Sequence, residues 1–209
     1  MSELDARKDN TPDFLDANFW DERWKANETA WDLQAVSPPL KSYIDGISDK
    51  HTSILIPGCG NAYEAEYLLN NGFTNVTVID IAPTLVKQLL EKFSAFAGNQ
   101  LTVICGDFFK HSGQYDYIIE QTFFCALDKN KREAYVTKMH TLLNENGKLA
   151  GLLFDKEFEK GPPFGGCKDE YTQLLGKQFT ILTMEPCAES VKPRAGAELF
   201  FQVEKKQDE

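Results

Sequence analysis

TSILIPGCGNAYEAEYLLN, residues 52–70, reads as a strand, a glycine turn and a helix in immediate succession. Thr52 to Ile56 is a β-branched and leucine run, long enough for one buried strand of a parallel sheet. Pro57, with no N–H to give a ladder, is expected to end it. Gly58 and Gly60 bracket Cys59 in a tight turn, where glycine tolerates positive φ and leaves no Cβ to block a ligand lying on the backbone. From Tyr63 the spacing becomes helical, with Tyr63, Tyr67 and Leu68 on one side. A helix starting beneath such a turn presents free N–H groups and the positive end of its dipole to whatever binds there.

Asn75 to Asp80, NVTVID, is a second strand, and it ends in an acid 20 residues after Gly60. In nucleotide-binding α/β units an acid about 20 residues on accepts hydrogen bonds from ribose hydroxyls. Gly58, Gly60 and Asp80 therefore suggest an adenosine-type ligand, although a tight turn in an unliganded α/β domain would also use these glycines. A dinucleotide needs a third glycine, so that its pyrophosphate can sit on the helix N-terminus. Tyr63 holds that place, and its ring crowds the pyrophosphate site. S-adenosylmethionine carries no phosphate and tolerates the bulkier helix start, so the residues favour the methyl donor.

The 209 residues suit a single α/β domain spanning 1–209, and 42% hydrophobic content fits a globular protein. A net charge of −10 disfavours nucleic-acid phosphates and anionic membranes as partners. MSELDARKDN has no signal-peptide core, and no apolar run reaches the ~20 residues of a membrane span. Cys59, Cys105, Cys125, Cys167 and Cys187 are scattered and form no CxxC pair, so reduced thiols in a cytoplasm are expected. His51, His111 and His140 lack metal-ligand spacing, and no metal is expected. A monomer is the simplest expectation.

Residues 1–12 read as a polar tail. Residues 13–47 follow as an N-terminal segment holding Phe14, Phe19, Trp20, Trp24 and Trp31. Trp20 and Trp24 are i,i+4 neighbours on one helical face. Either they staple a helix to the core, or they form a lid whose ring faces attract a cation such as a sulfonium; composition does not choose. Pro38-Pro39 reads as a stop before a short helix, Leu40 to Ile47. Pro83 suits a first helical turn, with Leu85, Val86, Leu89, Leu90 and Phe93 as the stripe. Leu101 to Cys105 and Tyr115 to Gln121 are further strands. Asp107-Phe108, after the first of these, suits an adenine, the acid at the exocyclic amine and the ring on its face; a turn cap with a core phenylalanine explains the pair as well. A helix from Lys131 to Leu143, ended by Asn146-Gly147, precedes a strand from Lys148 to Phe154. The glycine- and proline-rich loop Asp155 to Lys168 is expected to border a substrate pocket. A helix beginning at Tyr171 and two strands, Phe179 to Met184 and Ala197 to Val203, close the chain. The order predicts a doubly wound, mostly parallel α/β sheet of about seven strands.

Several stretches together resemble the thiopurine methyltransferase family, and within it the plant and bacterial thiol and halide ion methyltransferases. They are FWDERW at 19–24, TAWD at 29–32 with Pro39-Leu40, IPGCG at 56–60, VIDI at 78–81, GDFF at 106–109, FFCAL at 123–127 and GPPF at 161–164. The resemblance implies a class I, Rossmann-like methyltransferase fold using S-adenosylmethionine, with S-adenosylhomocysteine as product. It implies that Trp20, Trp24 and Trp31 form a lid contacting the donor, that Gly58 approaches its methionine part, that Asp80 takes the ribose, and that Asp107 and Phe108 take the adenine. Gln121 is expected among the donor contacts, at a place where relatives often carry Tyr after an Asp, and Ala62 stands where many carry another glycine. Phe154 and Phe164 are expected in the pocket wall.

The chemistry so implied is an in-line displacement at a sulfonium methyl by a small soft nucleophile: a thiol, hydrosulfide or halide. Opposite charges cancel in the transition state, so desolvation and alignment supply the catalysis, and a thiolate needs no strong base. No catalytic residue is assigned. Transfer to oxygen or nitrogen would require a base, with Glu120, Asp32 and Tyr63 as candidates. The residues also leave room for a nicotinamide-dependent oxidoreductase, which Tyr63 disfavours, and for a non-catalytic module that binds the donor.

Overall fold

The computed structural model describes residues 15–207. The tail expected over 1–12, and the first residues of the lid segment, 13 and 14, lie outside the described residues. The elements run α1 Ala17–Ala26, α2 Pro38–Asp45, β1 Ile54–Pro57, α3 Tyr63–Asn70, β2 Val76–Asp80, α4 Pro83–Lys92, β3 Leu101–Cys105, β4 Tyr115–Gln121, α5 Arg132–Leu142, β5 Leu143–Phe154, α6 Lys168–Leu175, β6 Phe179–Pro186 and β7 Glu198–Lys205. Seven strands form one sheet in the order β3-β2-β1-β4-β5-β7-β6. The first five are mutually parallel, and β7 runs antiparallel to both β5 and β6. The strand order reverses between β1 and β4, the position where sheets of this kind open a crevice at their carboxyl ends.

Alternation along the central strands sends side chains to both faces. Ile54 and Ile56 of β1 join a core under α2, α3 and α4 with Leu40, Leu68 and Leu85. Leu55 points the other way, to a core with Met139, Leu142 and Leu175 of α5 and α6. Ile54, Leu55 and Ile56 are all buried, each worth about 1.5–3 kcal/mol against exposure. A continuous apolar run is what a strand covered on both faces requires.

Four local readings are corrected. Thr52 and Ser53 precede β1: both hydroxyls and the Ser53 N–H donate to Asp116 Oδ2, clipping β1 to β4. Pro57 is the last residue of β1, in register with Ile79, and not the residue beyond it. Pro38 and Pro39 occupy the first turn of α2 instead of ending a segment, because N–H groups there have no helical partner to lose. Asn146-Gly147 does not end the helix. α5 stops at Leu142 and the chain passes straight into β5, where buried Leu143 pairs with Tyr115. Asn146, at φ 60°, lies within a register shift between Tyr115 and Tyr117. Burial of Leu143 outweighs the turn preference of the dipeptide. The two closing strands do pair antiparallel, with β7 between β5 and β6.

Candidate active site

Every turn at the carboxyl edge of β1 to β5 opens on one cavity of about 810 Å³. Gly58, Cys59 and Gly60 follow β1, Asp80 ends β2, Asp107 and Phe108 follow β3, Gln121 ends β4, and Phe154 ends β5; all line it, as do Trp20, Trp24 and Trp31. Thus the fold gathers at one edge all nine residues that the sequence nominates for the donor.

The glycine turn has two distinct halves. Gly58 has φ +55°, and a Cβ there would sit 2.2 Å from the Phe123 ring, so this glycine makes room for a neighbouring side chain. Gly60 has φ +51°, and the nearest atom to a Cβ would be Trp24 Cζ2 at 3.9 Å. The space its missing side chain opens is therefore the gap under the tryptophan wall. Ala62 adopts φ 55° as well, the left-handed conformation glycine takes without strain.

Asp80 Oδ2 accepts from the Gly60 N–H at 3.2 Å and Oδ1 from the Ala82 N–H at 3.0 Å. Burial raises its pKa, and these N–H groups oppose the shift. Each oxygen keeps a lone pair for a further donor. Asp107 Oδ1 accepts from the Phe109 N–H at 2.9 Å, capping a 3-10 turn. The Phe108 ring is buried against Phe109, Phe123 and Tyr135, so the cap and the core contact both exist while both residues still face the cavity.

The tryptophans form an edge-to-face cluster. Trp31 lies 5.6 Å from Trp20 and 6.0 Å from Trp24, at 85° and 80°. α1 is fastened beside them by Asp21, whose Oδ1 accepts from the Thr84 N–H at 2.7 Å in the first turn of α4. Lys25 and that N–H hold the Asp21 carboxyl below its usual pKa. Next to Trp31, Asp32 Oδ2 accepts from Asn61 Nδ2 at 2.7 Å and from the Tyr63 hydroxyl at 3.3 Å. That bond holds Tyr63 toward Asp32 at the start of α3.

The other half of the cavity is walled by Phe154, Phe158, Pro162 and Pro163. Phe164 is not part of this wall: its ring occupies the space beside Gly161, and its N–H donates to the Cys125 carbonyl at 2.6 Å. Sequence reasoning also missed Arg194, from the β6–β7 connection. It lines the cavity, donates through Nη2 to the Trp31 carbonyl at 2.8 Å, and pairs through Nη1 with Glu198 at 3.3 Å. No local pattern marks a single arginine in KPRAGAE; its partner lies 163 residues away.

Of the candidate bases, Glu120 is wholly buried and does not line the cavity. Its Oε2 accepts from the Phe124 N–H at 2.6 Å, and burial pushes its pKa up to about 8. Tyr63 is pushed up by burial and by Asp32. The cavity-lining thiols of Cys59 and Cys125 are both pushed up by burial, which keeps them protonated.

The sequence model of the thiopurine S-methyltransferase family matches residues 15–206. The chain belongs to that family. It is an S-adenosylmethionine-dependent methyltransferase of the branch that includes thiol methyltransferases. It is 29% identical over 184 residues to a probable thiol methyltransferase 2 of Arabidopsis thaliana, covering 86% of this chain and 81% of that one. It is 24% identical over 192 residues to thiocyanate methyltransferase 1 of Brassica oleracea, covering 90% and 84%. In fold it is similar to the Burkholderia thailandensis 1,6-didemethyltoxoflavin-N1-methyltransferase, solved with S-adenosylhomocysteine, at a TM-score of 0.73, 16% identity and 91% and 87% coverage. These matches make the seven-stranded sheet a class I methyltransferase sheet, mixed through β7.

Proposed function

We propose that this family member transfers the methyl group to a small thiol or comparable soft anion. The donor lies over the ends of β1 to β3 and the acceptor over β4 and β5. The observation that carries this reading is one cavity that joins the acids at the strand ends to an apolar wall of phenylalanine and proline. Asp32, Asp80 and Asp107 line the cavity with the glycine turn, where Arg23 and Lys131 also reach it, while Phe154, Phe158, Pro162 and Pro163 wall the other part beside Lys156 and Arg194. A sulfonium bearing an α-ammonium meets opposite charge at those acids. When bound, the donor supplies an electrophilic methyl group on a cation.

The chain's own residues then do three things. Asp80 keeps an acceptor for ribose hydroxyls at each oxygen, Asp107 and Phe108 flank the adenine, and Gln121 closes the floor between the two halves. Trp20, Trp24 and Trp31 roof the cation and exclude water, the pair of effects that a charge-cancelling reaction rewards. Arg194 draws an anionic acceptor toward the apolar wall and, through the Trp31 carbonyl, links that wall to the roof. Transfer to oxygen or nitrogen fits less well, since Glu120 is sealed off and Asp32 and Tyr63 are bonded to each other.

The test is steady-state methylation by purified protein of a panel of thiols, hydrosulfide, thiocyanate and halides, beside phenols and amines. Thiol or ion methylation is expected, with KM for the acceptor raised in Arg194→Met by about tenfold or more, the scale of one charge-assisted bond. Transfer confined to phenols or amines would sink the proposal.

A further inference from the structure

Arg132 opens α5 behind the acceptor wall and does not itself reach the cavity. Its side chain is buried, 4% exposed. Nη1 pairs with Glu170 Oε1 at 2.5 Å, and Nη2 donates to the carbonyls of Phe164 at 3.3 Å and Gly165 at 2.7 Å. The guanidinium also lies over the rings of Phe124, 4.7 Å away, and Tyr171, 5.7 Å away. One planar group thus joins the turn after β4, the first turn of α6 and the strap formed by residues 155–167.

That strap has little slack. The Gly166 N–H donates to the Lys156 carbonyl at 3.2 Å, and a Cβ on Gly165 would lie 1.6 Å from the same oxygen. It delivers Phe158, Pro162 and Pro163 to the cavity. We infer that Arg132 is a positioning residue for the methyl acceptor, holding from behind the strap whose Phe158, Pro162 and Pro163 form the acceptor wall. The inference rests on the acceptor lying on that side, as proposed above. Lysine could not replace it, because one compact ammonium cannot reach a carboxylate and two carbonyls in one plane. Both carbonyls would then be left without the donor that now satisfies them.

The experiment compares wild type with Arg132→Lys in three readouts: calorimetry with S-adenosylhomocysteine, acceptor kinetics with a thiol, and hydrogen exchange of residues 156–166. Misplacement by a distant change of this kind is expected to raise acceptor KM or lower kcat by about ten- to a hundredfold. Affinity for S-adenosylhomocysteine should stay within about twofold, and the strap amides should exchange faster. Should Arg132→Lys fail to fold, Glu170→Gln, changed at a partly exposed partner, weakens the same anchor and must give the same pattern at smaller amplitude. Unchanged strap exchange in a folded variant, or donor affinity falling as far as acceptor KM rises, overturns the inference. If wild type methylates no thiol or ion, the acceptor reading fails by itself; faster strap exchange with intact donor binding would still support Arg132 as the anchor of the strap.

Discussion

Replacing Glu120 with glutamine should remove a pH dependence of stability that the wild-type protein carries. The Glu120 side chain has no exposure, Oε2 accepts from the Phe124 N–H, and Oε1 has no partner among the described residues. Burial lifts its pKa from the ordinary 4.5 to about 8, against the pull of the N–H groups of Phe124 and Phe123. Below pH 4.5 both folded and unfolded chains carry the proton, and no penalty exists. Between 4.5 and about 8 the unfolded chain ionises while the folded one stays neutral, so stability falls as pH rises. At about 1.36 kcal/mol for each pH unit, the loss accumulated across that window is roughly 5 kcal/mol. Above it both states ionise and the curve levels.

Glutamine keeps the carbonyl that accepts from Phe124 and cannot ionise. Its amide also lacks a partner where Oε1 now lies, which adds an offset of about 1–3 kcal/mol that does not vary with pH. Urea unfolding of both proteins at about pH 5, 6, 7 and 8 gives the stability difference, in which all other titrating groups cancel. Relative to wild type, the variant should gain about 1.4 kcal/mol per pH unit through the window. A difference constant within about 0.5 kcal/mol would refute a neutral buried acid at this position.

Three other substitutions test the glycine turn and the proposed ribose contact. Gly58→Ala should destabilise by about 2–4 kcal/mol, from left-handed strain plus collision with Phe123, whereas Gly60→Ala should cost about 1 kcal/mol, from strain alone; thermal unfolding that ranks them equally would refute the distinction. Asp80→Asn should weaken S-adenosylhomocysteine binding by about ten- to a hundredfold, as loss of charge-assisted bonds does, and calorimetry showing unchanged affinity would remove Asp80 from the donor site.

Much of the fold is legible because its signals are local. β3 and β4 fall on the residues that their apolar runs mark, and α3 starts at Tyr63 where the spacing turns helical. Local signals misread Asn146-Gly147 and Pro38-Pro39, since the same dipeptides serve turns, bulges and first helical turns depending on what lies across from them. Six of the nine donor candidates reach one cavity because parallel strands place every following turn at the same edge, and the three tryptophans reach it because Asp21 ties α1 to the start of α4. Phe164 was misplaced because its backbone position in the strap gives no sign of which way the ring turns.

The sequence by itself determined the strand–turn–helix unit and the order of β and α elements, and it marked Asp80 and Asp107 at strand ends, all carried by spacing within short windows. Only the tertiary structure decided that Phe123 fills the space at Gly58, that Glu120 is sealed away from the cavity, that Arg194 lines that cavity, and that Arg132 reaches the carbonyls of Phe164 and Gly165. Those outcomes depend on contacts between residues far apart in the chain. Burial and charge pairing are properties of the packed neighbourhood, which no short window of sequence contains.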